Sequence, residues 1–344
     1  MAGWKQLDIG VIGGGIGGLS VALALRRSGH LVTIYERADF AGEVGAQYMH
    51  AMLMECAVGK EGEGRAARLL VNHACESVDS ETGTITFKNG VKAIHDLVIG
   101  ADGIGSVVRK AIDIHPVKKP ADSSCLHANV MTEDAVRLGL VDYSQHDALE
   151  YWGGQEGKWD KISWGGQDRP VEELLAPYPN LDAQVKAHLA IGIEVQPWRL
   201  WVHEPYPYLT KGKVCLLGDA GHPMMPHQSQ GACMAIEDAG ALGVLFNKQY
   251  FNGDIEESLA VYNSVRLPRA TRVQAAAARA AYNINERIGF SDNKHTATYK
   301  VENEKAKLTI EEMNAYDMFM DIEEQLAAAR NVPFTRNFIK GMPE

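Results

Sequence analysis

Three glycines near the start of the chain have the spacing that a nucleotide pyrophosphate requires. Gly13, Gly15 and Gly18 follow the apolar run 7–12 and open a segment of helical character. Gly13 permits a tight turn, Gly15 has no side chain to hold a pyrophosphate away from the backbone, and Gly18 lets a helix pack on a strand. The N-terminus of that helix attracts phosphates through its N–H groups and its dipole. The spacing therefore predicts a dinucleotide site, for either FAD or NAD.

An acidic residue stands where the ribose of such a nucleotide would lie. Glu36 ends a second apolar run, 31–35. A carboxylate at this place accepts hydrogen bonds from a ribose diol and disfavours a 2′-phosphate. A glycine motif alone is weak evidence, but strand, glycines, helix, strand and acid in this order are specific. A glycine-rich turn without a ligand is the less favoured interpretation.

A second candidate turn follows the apolar run 96–101. It contains Asp102 and Gly103, with Ser106 and Arg109 shortly after. Taken alone, this pattern is a strand that runs into a turn, and a purely structural role is the favoured interpretation.

A third candidate turn carries another aspartate and precedes a helix. Gly218 and Asp219 follow the buried strand predicted at 213–217, and Gly231 and Ala232 begin the next helix. An aspartate at a strand end can hold a ribityl hydroxyl. Small residues at a helix start let the backbone approach a ring or a phosphate, and the positive helix end can stabilise a reduced, anionic flavin.

The three motifs, in this order, resemble those of FAD-dependent aromatic monooxygenases of the salicylate hydroxylase and para-hydroxybenzoate hydroxylase type. The resemblance covers both ends of the cofactor site. It implies FAD as the cofactor, NAD(P)H as the reducing co-substrate, and O2 and an aromatic small molecule, phenolic or polyketide-like, as the other substrates. One departure is small: the family usually has Gly-Asp-Ala-Ala-His, and this chain has Gly221 at the second alanine.

The resemblance also implies roles for individual residues. Asp102 is expected near the pyrophosphate, where it serves both flavin and nicotinamide binding, and Asp219 is expected on the ribityl chain. Ala232 is expected beside the isoalloxazine, and Pro223 at the reaction site. No residue is assigned as the catalytic base, and no metal ligand is predicted. The predicted cofactor-binding residues are Gly13, Gly15, Gly18, Glu36, Gly45, Ala46, Asp102, Arg109, Asp219, Pro223, Gly231 and Ala232.

The stretch between Glu36 and Asp102 is short for this family, in which it is usually almost twice as long. Residues 43–46 begin like the family's loop beside the flavin, and the chain then passes quickly to Arg65. The family's helical segment with an FAD-contacting arginine is therefore expected to be missing. Two alternatives to an active monooxygenase stay open: a shortened, catalytically impaired FAD-binding relative, and another FAD or NAD oxidoreductase.

Other chemistries are weaker candidates. His222 and His227 do not have the spacing of a zinc site. Ser229 stands in a sequence that lacks the first glycine of a nucleophile elbow, which disfavours a serine hydrolase. The tryptophans between 152 and 201 are more typical of a core than of a substrate clamp.

Hydrophobic patterning predicts the elements that position these residues. Strands are expected at 7–12, 31–35, 84–87, 96–101 and 213–217, with an Asn89-Gly90 hairpin turn after the third. Helices are expected at 16–28, 231–247, 255–289 and 308–330, and Pro268 is expected to interrupt the third. No element is assigned within 40–65.

The predicted fold class is α/β, a Rossmann-like FAD-binding domain with a mixed-sheet substrate domain and C-terminal helices. The FAD-binding domain is predicted to be discontinuous, at 1–114 and 196–290. The β-rich substrate domain is predicted at 115–195, and a C-terminal helical segment at 291–344.

Composition disfavours several classes of protein. A chain of 344 residues suggests about two domains and can bury a core without disulfides. The net charge of −10 disfavours binding to nucleic acid, which depends on neutralising phosphates. Five scattered cysteines without a CxxC pair argue against a disulfide framework. No signal peptide and no membrane span are predicted, so the expected location is the cytoplasm; the oligomeric state is left open.

Overall fold

A computed structural model describes residues 3–39, 47–117, 119–145, 170–176, 179–288 and 306–334. The chain forms two compact units, one of residues 1–116 and 203–344 and the other of residues 117–202. The predicted three-part domain division stays a prediction.

The strands are β1 Asp8–Ile12, β2 Leu31–Tyr35, β3 Arg68–Leu70, β4 Cys75–Asp79, β5 Thr84–Phe87, β6 Lys92–Ile94, β7 Leu97–Gly100, β8 Lys119–Asn129, β9 Ile193–Val202, β10 Thr210–Lys211 and β11 Val214–Leu216. The helices are α1 Ile16–Arg27, α2 Gln47–Val58, α3 Thr132–Arg137, α4 Val171–Leu175, α5 Ala183–Ala190, α6 Gly231–Leu245, α7 Ile255–Ala280, α8 Ile310–Asn314 and α9 Met318–Ala329.

The first unit is built on a six-stranded sheet with the order β10-β11-β7-β1-β2-β3. Every neighbouring pair is parallel except β10 with β11. All residues of β7 and β11 are buried, as in parallel sheets that helices cover on both faces. The α/β class and the Rossmann-like domain predicted from the sequence are confirmed. Because β1, β2, β7 and β11 are parallel, their carboxyl ends meet at one edge.

Small residues let α6 pack closely against α1. A side-chain carbon added at Gly243 would lie 2.8 Å from the Ala24 Cβ, and one added at Gly17 would lie 3.4 Å from the Ala235 Cβ. Backbones this close leave no room for larger side chains at the contact. The beginnings of both helices are thereby held beside the carboxyl edge of the sheet.

A smaller antiparallel sheet in the first unit has the order β4-β5-β6. Its second hairpin turns at Asn89-Gly90, where Gly90 has a φ of +85° and the Phe87 amide donates to the Val91 carbonyl over 2.9 Å. The predicted hairpin is confirmed at this turn.

The second unit contains the antiparallel pair of β8 and β9 together with α3, α4 and α5. Five aromatic residues of this unit lie outside the described residues, namely Tyr151, Trp152, Trp159, Trp164 and Tyr178. In the described part of the chain, no helix is both long enough and apolar enough to cross a membrane.

Two helix predictions were wrong in detail. Helix α7 continues through Pro268, because buried Val265, Arg266, Ala270 and Val273 pack it on both sides of the proline and outweigh the lost hydrogen bond. The final acidic segment forms two helices, because each has its own N-cap. The Thr309 Oγ1 accepts from the Glu312 amide and the Asp317 Oδ1 from the Met320 amide, each over 3.0 Å.

Candidate functional site

Four turns from distant parts of the sequence meet along the carboxyl edge of the parallel sheet. Strand β1 ends at the glycine turn and β2 ends before Glu36. Strand β7 ends before Asp102 and β11 before Asp219. The order β11-β7-β1-β2 places these turns side by side. In open α/β sheets, ligands bind at this edge.

The glycine turn has the close backbone packing that its sequence predicts. Gly13 has a φ of +108°, and a side-chain carbon there would lie 2.3 Å from the Ala101 carbonyl oxygen. A side-chain carbon at Gly18 would lie 2.0 Å from the Gly13 carbonyl oxygen. Helix α1 begins after Gly15, which has no side chain to cap it, and its first turn contains no acidic residue. This leaves the positive helix end available to an anion.

Glu36 is hydrogen-bonded to the glycine turn. Its Oε2 accepts a hydrogen bond from the Gly14 amide over 2.8 Å, and its Oε1 accepts from the Ala38 amide over 2.9 Å. The carboxylate is only partly buried and keeps acceptor capacity for a further donor. This is the position in which an acid can bind a ribose diol.

Asp102 shapes the loop that follows β7. Its Oδ2 accepts from the Val107 amide over 2.7 Å and from the Val108 amide over 3.3 Å. Its Oδ1 is buried and has no hydrogen-bond partner among the described residues. A buried carboxylate oxygen without a donor is costly, so it marks a place where a donor group is missing.

Arg109 is buried and ties this loop to Tyr206. Its guanidinium donates to the Ile104 carbonyl and to the Tyr206 hydroxyl, and it lies 5.3 Å from the centre of the Tyr206 ring. Burial raises the pKa of Tyr206, and the charge of Arg109 opposes that shift. Arg109 thus joins the loop after Asp102 to Tyr206. Its predicted contact with the cofactor stays a prediction.

A buried carboxylate fixes the loop that carries Asp219. The Asp238 Oδ2 accepts from the Gly218 amide over 2.9 Å and lies 2.6 Å from the His222 Nε2. The Asp238 Oδ1 accepts from the Arg266 Nε over 2.8 Å. Asp238 is fully buried and spans both ends of the 218–222 loop. The half-buried Asp219 is therefore held between two anchored positions.

The charges in this cluster stabilise one another. Burial alone raises the pKa of Asp238, but the charges of His222 and Arg266 outweigh burial and lower that pKa from 3.8 to about 2. Burial alone lowers the pKa of His222, but the charge and the hydrogen bond of Asp238 outweigh it and raise that pKa. Opposite charges at this distance in a dry interior favour the charged form of each group.

The segment between Pro223 and α6 is fixed by buried side chains. The Gln274 Nε2 donates to the Pro223 carbonyl over 2.7 Å, and the Gln228 Nε2 donates to the Glu286 carbonyl over 2.9 Å. The Arg287 NH1 donates to the His227 carbonyl over 3.1 Å. Pro223 itself is buried. These contacts hold in place the loop that leads to the start of α6.

The described part of the chain leaves the beginning of α6 uncovered. A side-chain carbon at Gly231 would meet no described atom within 4 Å, Ala232 is exposed, and the first turn has no acidic residue. An aromatic ring could approach this helix end from outside. The positive dipole there stabilises negative charge on such a ring.

Two of the predicted residues fall outside the described part of the chain, and sequence reasoning missed two others. Gly45 and Ala46 lie outside the described residues. Asp238 was passed over because it stands mid-helix in an ordinary acidic pair. His50, whose Nε2 lies 2.8 Å from the Gly14 carbonyl oxygen, was passed over because 40–65 had no clear periodicity. No local signal reveals either role, since each depends on a contact with a distant loop.

These observations fit FAD. The glycine turn is closely packed against backbone, and α1 begins beside it at the carboxyl edge of the sheet. The Asp102 Oδ1 is buried and accepts no hydrogen bond from a described residue. Glu36 adds a carboxylate for a ribose diol. Among the described residues, no group of three or more His, Cys, Asp or Glu side chains could hold a metal ion.

Comparisons with known proteins agree with this geometry. The chain matches an FAD binding domain family over residues 44–277, and an NAD(P)-binding Rossmann-like domain over residues 11–52. It is 26% identical to the hispidin-3-hydroxylase of Neonothopanus nambi, over 79% of this chain and 87% of that protein. It is also 26% identical to the 6-methylsalicylate 1-monooxygenase atA of Aspergillus terreus, over 95% of each chain.

Solved structures show the same fold. A salicylate hydroxylase in a substrate complex covers 93% of this chain and 98% of its own, with 22% identity and a TM-score of 0.61. The structure of CtdE with FAD and a substrate covers 95% and 99%, with 16% identity and a TM-score of 0.70. The alignment with the Aspergillus relative extends over 428 residues, more than the 344 of this chain, so that relative has segments without a counterpart here.

Proposed function

The chain belongs to the FAD binding domain family, and from this premise we propose that it is an FAD-dependent monooxygenase that hydroxylates a phenolic or polyketide-like aromatic small molecule with NAD(P)H and O2. The observation that supports this most directly is the meeting of Gly13, Glu36, Asp102 and Asp219 at one edge of the parallel sheet. These four residues suit the pyrophosphate, the ribose and the ribityl chain of one FAD molecule.

Bound FAD would supply the redox chemistry, taking a hydride from NAD(P)H and activating O2 for hydroxylation of the aromatic ring. The chain supplies binding and electrostatics. The start of α1 and the glycine turn would hold the pyrophosphate, and Glu36 would hold the adenosine ribose. Asp219, fixed through Asp238, would hold the ribityl hydroxyls. The start of α6 would stabilise negative charge on the ring system.

The substrate class is proposed from the relatives. The names of the similar proteins include hydroxylases or monooxygenases of hispidin, 6-methylsalicylate, 6-hydroxynicotinate and 3-hydroxybenzoate. All four compounds are hydroxylated aromatic rings, and an electron-rich ring of this kind accepts an electrophilic oxygen readily. We propose the same class for this chain and assign no individual compound.

The test has two stages. The purified chain is first titrated with FAD and its visible spectrum recorded, and we expect a stoichiometric bound flavin. The loaded protein is then given NADH or NADPH with a panel of hydroxybenzoates, 6-methylsalicylate, 6-hydroxynicotinate and hispidin. We expect at least one compound to accelerate NAD(P)H oxidation and to yield a hydroxylated product by mass spectrometry.

The two stages separate the alternatives. A chain that binds no FAD even at excess would contradict the whole proposal. A chain that binds FAD but releases only hydrogen peroxide with every aromatic compound would instead be the impaired relative. The segments that the Aspergillus relative has in excess make this second outcome worth measuring.

A further inference from the structure

Helix α2 contacts the glycine turn through one buried histidine. The His50 Nε2 lies 2.8 Å from the Gly14 carbonyl oxygen, so it donates a hydrogen bond to that carbonyl. Only 4% of His50 is exposed. The amide of the same residue, Gly14, donates to the Glu36 Oε2 over 2.8 Å. Both polar groups of Gly14 are therefore fixed by side chains from other elements.

The other end of α2 is fixed at the end of α1. Arg26 is fully buried, and its NH1 donates to the Cys56 carbonyl over 2.8 Å and to the Ala57 carbonyl over 3.1 Å. It also donates to the carbonyls of the loop that follows α2, at Gly59, Glu61 and Gly64. The guanidinium thus satisfies carbonyls at the C-terminus of α2 that the helix itself leaves without partners.

These two contacts set the position of α2 along α1. His50 lies in the first turn of α2 and meets the turn that precedes α1, while Arg26 at the end of α1 meets the end of α2. The helices therefore run side by side in the same direction. Leu53 and Ala57 continue the buried face that begins at His50.

From this geometry we infer that His50 is a positioning residue for the pyrophosphate-binding turn, and that the tightness of FAD binding depends on its hydrogen bond to Gly14. The inference rests on the proposed function, because it assumes that FAD is the ligand of this turn. A turn whose peptide is already oriented does not lose that freedom when the ligand binds, so the free energy of binding is more favourable.

Loss of the donor would also leave the Gly14 carbonyl buried without a partner. Rotation of the Gly14–Gly15 peptide to find another donor would turn the Gly15 amide, which belongs to the same planar unit and precedes α1. A single buried histidine outside the glycine motif thus influences the orientation of an amide within that motif.

The test compares two buried histidines that make the same kind of bond at opposite edges of the sheet. His50→Met removes the donor and keeps an apolar side chain of similar length. His30→Met is the matched control: His30 is fully buried, its Nε2 lies 2.7 Å from the Phe246 carbonyl oxygen, and it precedes β2, away from the ligand edge. His50→Gln restores an amide donor near the position of the lost Nε2.

FAD affinity is measured by quenching of flavin fluorescence, and the stability of the apoprotein by urea unfolding. We expect both variants to reduce stability, and His30→Met to do so more, because the His30 Nδ1 also accepts from the Leu7 amide over 3.1 Å. Only His50→Met should raise the Kd for FAD, by about tenfold, and His50→Gln should recover most of the affinity. If His50→Met does not fold, His50→Asn, whose amide is too short to reach Gly14, takes its place beside His50→Gln.

Three results would overturn the inference: an unchanged Kd in His50→Met, an equal rise in His30→Met, or no recovery in His50→Gln. In each of these the wild-type chain binds FAD, so the proposed function stands. If the wild-type chain itself binds no FAD, the proposed function fails and the inference about His50 fails with it.

Discussion

Asp238 and His222 form a fully buried pair, with the Asp238 Oδ2 2.6 Å from the His222 Nε2. The same oxygen accepts the Gly218 amide, so one carboxylate closes the loop that displays Asp219. The buried pair therefore holds the loop from Gly218 to His222 in one conformation.

We expect Asp238→Asn to be strongly destabilising. The change leaves His222 buried without its anionic partner and leaves Arg266 with Glu237 alone. Breaking a buried ion pair from one side costs about 3–5 kcal/mol. The free energy of unfolding of the apoprotein in urea measures this. FAD affinity should also fall, because the Asp219 loop loses its anchor.

Glu237→Gln is the matched control for Asp238→Asn. Glu237 also bonds to Arg266, and both of its oxygens accept from Arg269, but it is 26% exposed whereas Asp238 is fully buried. Its loss is expected to cost less than the loss of Asp238, because water already contacts the exposed part of the Glu237 carboxylate. Equal destabilisation by the two variants would contradict the central role of Asp238.

The charges of Asp238 and His222 should make the free energy of unfolding depend on pH. The pKa of His222 is raised above 6.5, so its contribution is complete below pH 6.5 and is lost as the pH rises through its folded value. The pKa of Asp238 is lowered from 3.8 to about 2, so its contribution is complete above pH 3.8 and is lost as the pH falls toward 2. The stability difference between wild type and His222→Gln, measured by urea unfolding across pH, should therefore be largest between pH 3.8 and 6.5. A difference that grows above pH 6.5 would show that His222 is neutral in the fold.

We expect Gly13→Ala to impair both folding and FAD binding. The positive φ costs about 1–2 kcal/mol for a residue with a Cβ, and the overlap with the Ala101 carbonyl adds about 1–3 kcal/mol. Gly90→Ala is the control, since Gly90 also has a positive φ but a Cβ there meets no described atom within 4 Å. Thermal unfolding separates the two costs. Similar melting temperatures for the two variants would argue against the close approach at Gly13.

Glu36→Ala should weaken FAD binding by about 10- to 100-fold, because hydrogen bonds to a charged group contribute about 1.5–3 kcal/mol. Fluorescence titration measures the Kd, and Glu76→Ala, which removes an exposed acid on β4, should leave it unchanged. An unaltered Kd in Glu36→Ala would remove the ribose assignment.

The sequence predicted the central sheet of the first unit well, for a physical reason. Strands β1, β2, β7 and β11 are buried on both faces, so each appears as a continuous apolar run between glycines or polar residues. Helix α2 was missed because its apolar residues form no clean stripe: Tyr48 is 93% exposed and Met52 is 57% exposed. The continuity of α7 through Pro268 was missed because packing outweighed a local rule.

The sequence by itself determined the nucleotide-binding chemistry, since glycine spacing, a strand-end acid and small residues at helix starts are local features with local physical causes. Only the tertiary structure decided which side chains hold those features in place. Asp238, Arg109 and His50 act through contacts with loops far away in the chain. Such contacts depend on the sheet order and on helix packing, so no window of sequence contains them.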